Sequence, residues 1–318
     1  MISGKADTGG FMIAVIDSIF PVCVIIIMGS LLRWFRLTDN EFFRVSDKLI
    51  YFVFFPAMLF WKIGGSGSGA DLDWQLGVAC VLAVFALWAI SLIFIRAWGA
   101  PDFKVGSFSQ CCYRFNTYVG MAIVLSACGE EGVRHFGIVL VFTIPFINLL
   151  AVSTLIWFSE KEFAPGQRNR FLLKAIVSNP LILACLLGLA FSGTGARFPS
   201  FLENTFRLLS SVSLPMALLS IGSSLSFSML RGHLAPALWA SVLKLFLLPV
   251  TGYLLLDVFG VSGLPLKVAM IYFALPTSTA IYILSSQLGS DTDLASAGIV
   301  LSTMLSLASL TAVLLVFP

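Results

Sequence analysis

Apolar runs recur along the chain from residue 12 to residue 317, divided by short polar breaks. A helix needs about 20 apolar residues to cross the hydrocarbon core of a bilayer. On that measure the pattern predicts ten spans, at 12–32, 43–63, 75–95, 105–128, 136–157, 171–191, 203–225, 235–257, 264–288 and 293–317. The clearest breaks are "RWFRLTDNEFFR", "GGSGSGADLD", "RAWGAPDFK" and "SEKEFAPGQRNR", and the Gly/Ser run at 64–69 reads as a flexible loop. No polar stretch is long enough to fold by itself. Residues 1–318 are therefore read as one all-α, polytopic membrane domain.

Lysine and arginine are retained on the cytoplasmic side. Loops after odd-numbered spans hold Arg33, Arg36, Arg44, Lys48, Arg96, Lys104, Lys161, Arg168, Arg170, Lys174 and Arg231. The termini and the loops after even-numbered spans hold only Lys5, Lys62, Arg134, Arg197 and Lys267. The excess places both termini outside.

The spans also repeat. Pro21 and Pro56 have the same spacing as Pro180 and Pro215, and at the same offset Gly29 meets Gly188, Leu59 meets Leu218, and Thr117 meets Pro276. The strings "FFPAMLFWKIG" and "SLPMALLSIGS" agree locally. The expected halves are approximately residues 11–158 and 170–318. Each holds five spans, an odd number, so the second half enters the membrane inverted. Inverted repeats are a signature of secondary transporters, whose substrate site lies near the midplane between the halves.

Two spans are interrupted at matching places. "RFNTYVG" stands at the middle of the fourth span, and Pro276 in "FALPTSTAIY" at the middle of the ninth. Proline removes a backbone donor. Gly120 and Asn116 loosen a helix through backbone freedom and a competing side chain. Backbone groups freed in this way are tolerated only inside protein or along a watery cavity. Half-helices that start at a break present N–H groups and a positive dipole end, which favour an anion. Asn116, Thr117, Thr277, Ser278 and Thr279 add neutral hydrogen-bonding groups. Arg114 requires a compensating partner, water or a substrate carboxylate, and its structural reading is that it snorkels or pairs with carbonyl groups to hold the fourth span. Pro56 and Pro215 are read as scaffold helix breaks. Lys244 in "SVLKLFLLP" reads as a lysine snorkelling toward the cytoplasmic face, with a charge role as the second reading. Asp17 and Arg207 read as outer-face residues, either paired or solvated, and Asn179-Pro180 as helix punctuation.

Composition agrees with this picture. The chain is 58% hydrophobic and 11% charged, against roughly 25% charged in a soluble domain. Its mean hydropathy is +0.99. The net charge of +3 comes with no basic stripe beside aromatics, so nucleic acid is not an expected partner. The six cysteines lie in apolar segments without C-x-x-C spacing, and neither a metal nor another cofactor is expected. The segment "MISGKADTGG" lacks the charge pattern of a signal peptide. The 29 phenylalanines read as lipid-facing or packing surface.

At this point the motifs resemble a known family. "RFNTYVGMAIVLSACGEEGV" is similar to the fourth span of the auxin efflux carriers, in which an Arg-x-Asn-x-x-x-Gly run precedes a Gly-Glu turn. "FPVCVIIIMGSLLRWF", "SNPLILACLLGLAF", "LPMALLSIGSSLS" and "LPTSTAIYILSSQLGSD" resemble that family's first, sixth, seventh and ninth spans. The resemblance covers essentially the whole chain. It implies a fold like that of the sodium/bile acid symporters. Broken helices 4 and 9 would cross in a core domain, against a scaffold of helices 1, 2, 6 and 7. It also implies a bacterial inner-membrane permease for a small organic acid such as malonate or malate, with Asn116 as the crossover asparagine and Pro276 as the proline break. The chain departs from the family at Ala122, where a proline is frequent, and it lacks the long central loop of the plant members.

The leading expectation is thus a secondary transporter for a mono- or dicarboxylate, working by alternating access. The alternatives are a substrate sensor on the same fold and a membrane-embedded enzyme. The enzyme reading is disfavoured, because His135 and His233 are the only histidines and no acidic pair stands in midspan. Coupling to H+ or Na+, uniport, and a monomeric or homodimeric state all stay open.

Overall fold

The computed structural model describes residues 8–65, 73–159, 179–225, 230 and 232–317. The calls on Lys5, Lys161, Arg168, Arg170, Lys174, Arg231, residues 66–69 and the start of the sixth span lie outside them. Regular structure among the described residues is helical throughout. Helix α1 spans Thr8–Trp34. Helix α2 (Asn40–Leu49) passes through a π-turn (Ile50–Phe54) into α3 (Phe55–Gly64). There follow α4 (Trp74–Ala97), α5 (Asp102–Tyr113), α6 (Thr117–Trp157), α7 (Pro180–Gly193) and α8 (Ser200–Ser224). Helix α9 (Leu234–Val242) passes through a second π-turn (Leu243–Leu247) into α10 (Leu248–Val258). The last three are α11 (Gly263–Phe273), α12 (Ala280–Leu288) and α13 (Thr292–Val316). Among the described residues six helical stretches are long and apolar enough to cross a membrane, and two shorter apolar helices accompany them.

Helix starts follow from local chemistry. Asp39, Asp73 and Asn179 cap α2, α4 and α7 by accepting first-turn N–H groups. Pro180 at the first position of α7 has no N–H to lose, so Asn179-Pro180 is punctuation as expected. Gly129 (φ 65, ψ −160) divides α6 into two rods, 117–128 and 130–157. Each π-turn directly precedes a helix with proline in its first turn, Pro56 or Pro249. Widening the helix there accommodates the missing donor and the pyrrolidine ring. Pro215 is different. It lies inside α8, which continues past it, so no break stands there, contrary to the expectation.

Small residues set the closest packing. A Cβ at Gly29 would run into the Leu219 backbone, and one at Gly222 into the Ile26 backbone, so α1 and α8 touch main chain to main chain. A Cβ at Gly188 of α7 would stand 3.2 Å from the Phe60 carbonyl oxygen of α3. This is how membrane helices associate, where lipid removes any hydrophobic drive between them. Helix α1 turns Ile16, Phe20, Val24, Ile27 and Leu31 outward. An apolar stripe of this kind suits lipid.

Polar contacts gather at the two ends of the bundle. Lys62 pairs with Glu130 at one end. At the other, Arg33 donates to the Ser223 carbonyl, Arg96 pairs with Asp102, and the Asp291 N–H donates to the Phe103 carbonyl at 3.1 Å. Asp17 and Arg207 are both exposed, and Arg207 donates to Asn204 Oδ1 at 2.9 Å.

Candidate functional site

The two expected breaks are present and they meet. Helix α5 ends at Tyr113 and α6 begins at Thr117, while α11 ends at Phe273 and α12 begins at Ala280. The Asn116 N–H donates across the gap to the Pro276 carbonyl at 2.9 Å. One freed backbone donor of the first break thus satisfies one freed acceptor of the second, as buried main chain requires.

Asn116 has a second task. Its Oδ1 accepts from the Tyr118 and Val119 N–H groups at 3.2 and 3.3 Å, which makes it the N-cap of α6. Gly120, one turn on, is pressed by the Leu275 and Phe136 side chains, each with an atom 2.6 Å from where a Cβ would stand. Glycine is needed there to let the two breaks approach. Thr277 is fully buried. Its hydroxyl donates to the Cys111 carbonyl at 2.9 Å, and its N–H donates to Ser302 Oγ at 3.0 Å. Ser278 Oγ caps Ala280 N at 3.3 Å. Thr117, Ser278 and Thr279 are half-buried at the starts of α6 and α12, whereas Pro276 is buried.

Arg114 lies inside the protein, paired with neutral groups. It donates to Gln110 Oε1 at 3.3 Å and to Asn148 Oδ1 at 3.1 Å, and so ties α5 to the second rod of α6. Asn148 is the one amide side chain in a fifth span whose other polar residues are hydroxyls. That was the available sign of a partner for Arg114.

Lys244 corrects the sequence reading. It does not snorkel: it is fully buried in the second π-turn, with Nζ 3.8 Å from the Phe115 ring centroid and no hydrogen-bond partner. Phe115 stands between Arg114 and Asn116 and also stacks on Tyr272, at 3.9 Å between centroids. Tyr272 in turn donates to Thr143 Oγ1 at 2.8 Å. The lysine therefore reaches the floor of the crossing. Nothing in the local sequence signalled this, because the contact joins residues far apart in the chain.

A cavity of about 150 Å³ lies between α1, the first rod of α6 and α8. Ser18, Pro21, Ala122, Ser126 and Pro215 are among its walls. Ala122 and Ser126 share one face of α6 with Tyr118. The volume is below the roughly 300–1,000 Å³ of drug-sized pockets. Apart from Ser18 and Ser126 its lining is apolar, so it offers no counter-charge of its own.

Residues 14–314 match the model of the family described as Membrane transport protein. The chain belongs to that family. It is the auxin efflux carrier family whose motifs the sequence resembles. An uncharacterized transporter of Methanocaldococcus jannaschii is 22% identical over 92% of this chain and 95% of its own. An uncharacterized transporter of Methanothermobacter thermautotrophicus is 24% identical over 92% and 95%. A Rhizobium meliloti protein named "Putative malonate transporter" is 26% identical over 93% of each chain. Family and helices together make this a multi-pass membrane protein of a transport family.

Proposed function

We propose that this protein is a secondary transporter of the plasma membrane that moves a small organic anion, a mono- or dicarboxylate such as malonate or malate. The observation that carries the reading is the Asn116–Pro276 hydrogen bond, which holds two helix breaks together inside the bundle. The starts of α6 and α12 lie at these breaks. The positive dipole ends there favour a carboxylate, and the hydroxyls of Thr117, Ser278 and Thr279 add neutral donors. The name of the Rhizobium meliloti relative supports malonate as the first substrate to test.

In this reading the chain forms ten spans as two inverted five-span repeats, with both termini outside. The reciprocal pairing of the first span with the seventh and the sixth with the second, through Gly29 and Gly188, supports that symmetry. The α5/α6 and α11/α12 pairs belong to a core that moves against a scaffold built from α1, α2–α3, α7 and α8. Such a motion exposes the crossing alternately to each side, and the cavity by Ala122 marks the approach from the scaffold. Arg114 acts as a brace that keeps positive potential near the crossing without touching substrate.

Counterflow of radiolabelled malonate in proteoliposomes tests the reading. Wild-type protein is expected to exchange malonate, and Asn116→Ala to lose exchange while still inserting in the membrane. Malonate binding without exchange would instead favour a sensor on the carrier fold. Full exchange in Asn116→Ala and in Pro276→Ala would refute the site.

A further inference from the structure

Lys244 is a buried ionisable group that the substrate site as described leaves without a role. Its Nζ is fully enclosed and makes no hydrogen bond, although an ammonium has three donors to satisfy. No carboxylate pairs with it among the described residues. Its neighbour is the face of Phe115. A neutral amine suits such walls, whereas an ammonium there needs water or an anion.

Several features connect this amine to the moving parts. Phe115 lies inside the first break, next to Asn116, so a charge on Nζ acts directly on the crossing. The π-turn that carries Lys244 is a loosened stretch of helix ahead of Pro249. The helices packed on that turn are α4, α5, α9, α10 and α13. Tyr253 and Asp257 of α10, Asp293 of α13 and Arg96 of α4 are exposed, and α9 carries no titratable side chain. The buried titratable side chains on these helices are Cys80 of α4 and Cys111, Cys112 and Tyr113 of α5, and none of them is a carboxylate. Other buried ionisable groups are committed elsewhere. Asp291 caps α13 and faces His233 at 3.4 Å, and Arg114 holds its proton permanently.

We propose that Lys244 is the site at which this carrier binds the proton that travels with its substrate. This rests on the carrier reading above. When the crossing opens to one side, water reaches Nζ and an N–H bond forms with a proton from hydronium, leaving water. The resulting ammonium compensates the carboxylate seated at the starts of α6 and α12. On the other side the anion leaves, the N–H bond breaks with the proton passing to water, and the neutral amine returns against Phe115. One proton thus accompanies each anion.

Proteoliposomes separate this step from transport itself. Malonate counterflow at equal pH on both faces reports the carrier, and accumulation under an imposed pH gradient reports coupling. Wild-type protein is expected to show both. Lys244→Met cannot bind the proton, and Lys244→Arg cannot release it. In each, accumulation normalised to counterflow is expected to fall to the value without a gradient. A second readout uses wild-type and Lys244→Met protein in detergent, first shown to be monodisperse with a cooperative thermal transition. Malonate added in weak buffer is expected to draw a proton from solution with wild type only. Gradient-driven accumulation that persists in Lys244→Met overturns the proposal. So does wild-type accumulation that is indifferent to an imposed pH gradient. Absence of wild-type counterflow overturns the carrier reading first, and this one with it.

Discussion

Asn116 combines two demands on one residue: its side chain caps α6 and its main chain bonds to Pro276. Removing an N-cap costs about 1 kcal/mol, while Asn116→Ala leaves the main-chain bond available. A modest fall in melting temperature with loss of malonate exchange is therefore expected, and a thermal-shift assay beside counterflow separates the two. Arg114 makes the opposite case. Its guanidinium is occupied by Gln110 and Asn148, so Arg114→Gln is expected to lower stability and leave the preference for carboxylates over neutral analogues intact. Selective loss of anionic substrates would place it in contact with them. At Lys244 magnitudes decide. A desolvated cation–π contact gives about 2 kcal/mol, less than the several kcal/mol needed to bury an ammonium, so the contact with Phe115 alone does not hold the charged form. The residues of both breaks were legible in the sequence because proline, glycine and asparagine in midspan have few other uses. The partners of Arg114 and the burial of Lys244 were not, because they depend on which faces of distant helices meet.

Among elements, the glycine contacts divide into positions that tolerate a methyl group and positions that do not. Gly222→Ala sets a Cβ against the Ile26 carbonyl, which is backbone and does not move away. Overpacking of this kind costs typically about 1–3 kcal/mol. Gly193 at the end of α7 has open space, with nothing within 4 Å of a Cβ, and Gly193→Ala is expected to stay within about 0.5 kcal/mol of neutral. Melting curves of the two variants check the contrast, and equal shifts would remove the case for main-chain contact between α1 and α8. The prolines show where sequence reading stopped. Pro276 lies in a true break, Pro56 follows a π-turn, and Pro215 sits in a continuous helix. The residue is the same in each; the outcome depends on whether neighbouring helices supply a partner for the groups it frees.

For the whole molecule, the alternation of Lys- and Arg-rich loops yields a topology with a direct test. Ala97 ends α4 and Ala196 follows α7, and both are exposed. In intact cells Ala196→Cys is expected to react with a membrane-impermeant maleimide, and Ala97→Cys only after permeabilisation. The native cysteines are buried or half-buried, which keeps the background low. The reverse labelling pattern would invert the orientation and leave the fold unaffected.

Hydropathy and residue order carried the membrane class, the all-helical character, the two interrupted spans and the family, because the bilayer imposes length and hydropathy on every crossing segment and leaves polar residues in midspan few purposes. The packing of distant segments set what those polar residues do. It joined Asn116 to Pro276, gave Arg114 neutral partners, kept α8 whole at Pro215 and placed Lys244 beneath the crossing. Each of these is a contact between segments far apart in the chain. Hydropathy reports how apolar a helix is and leaves open which neighbour it packs against.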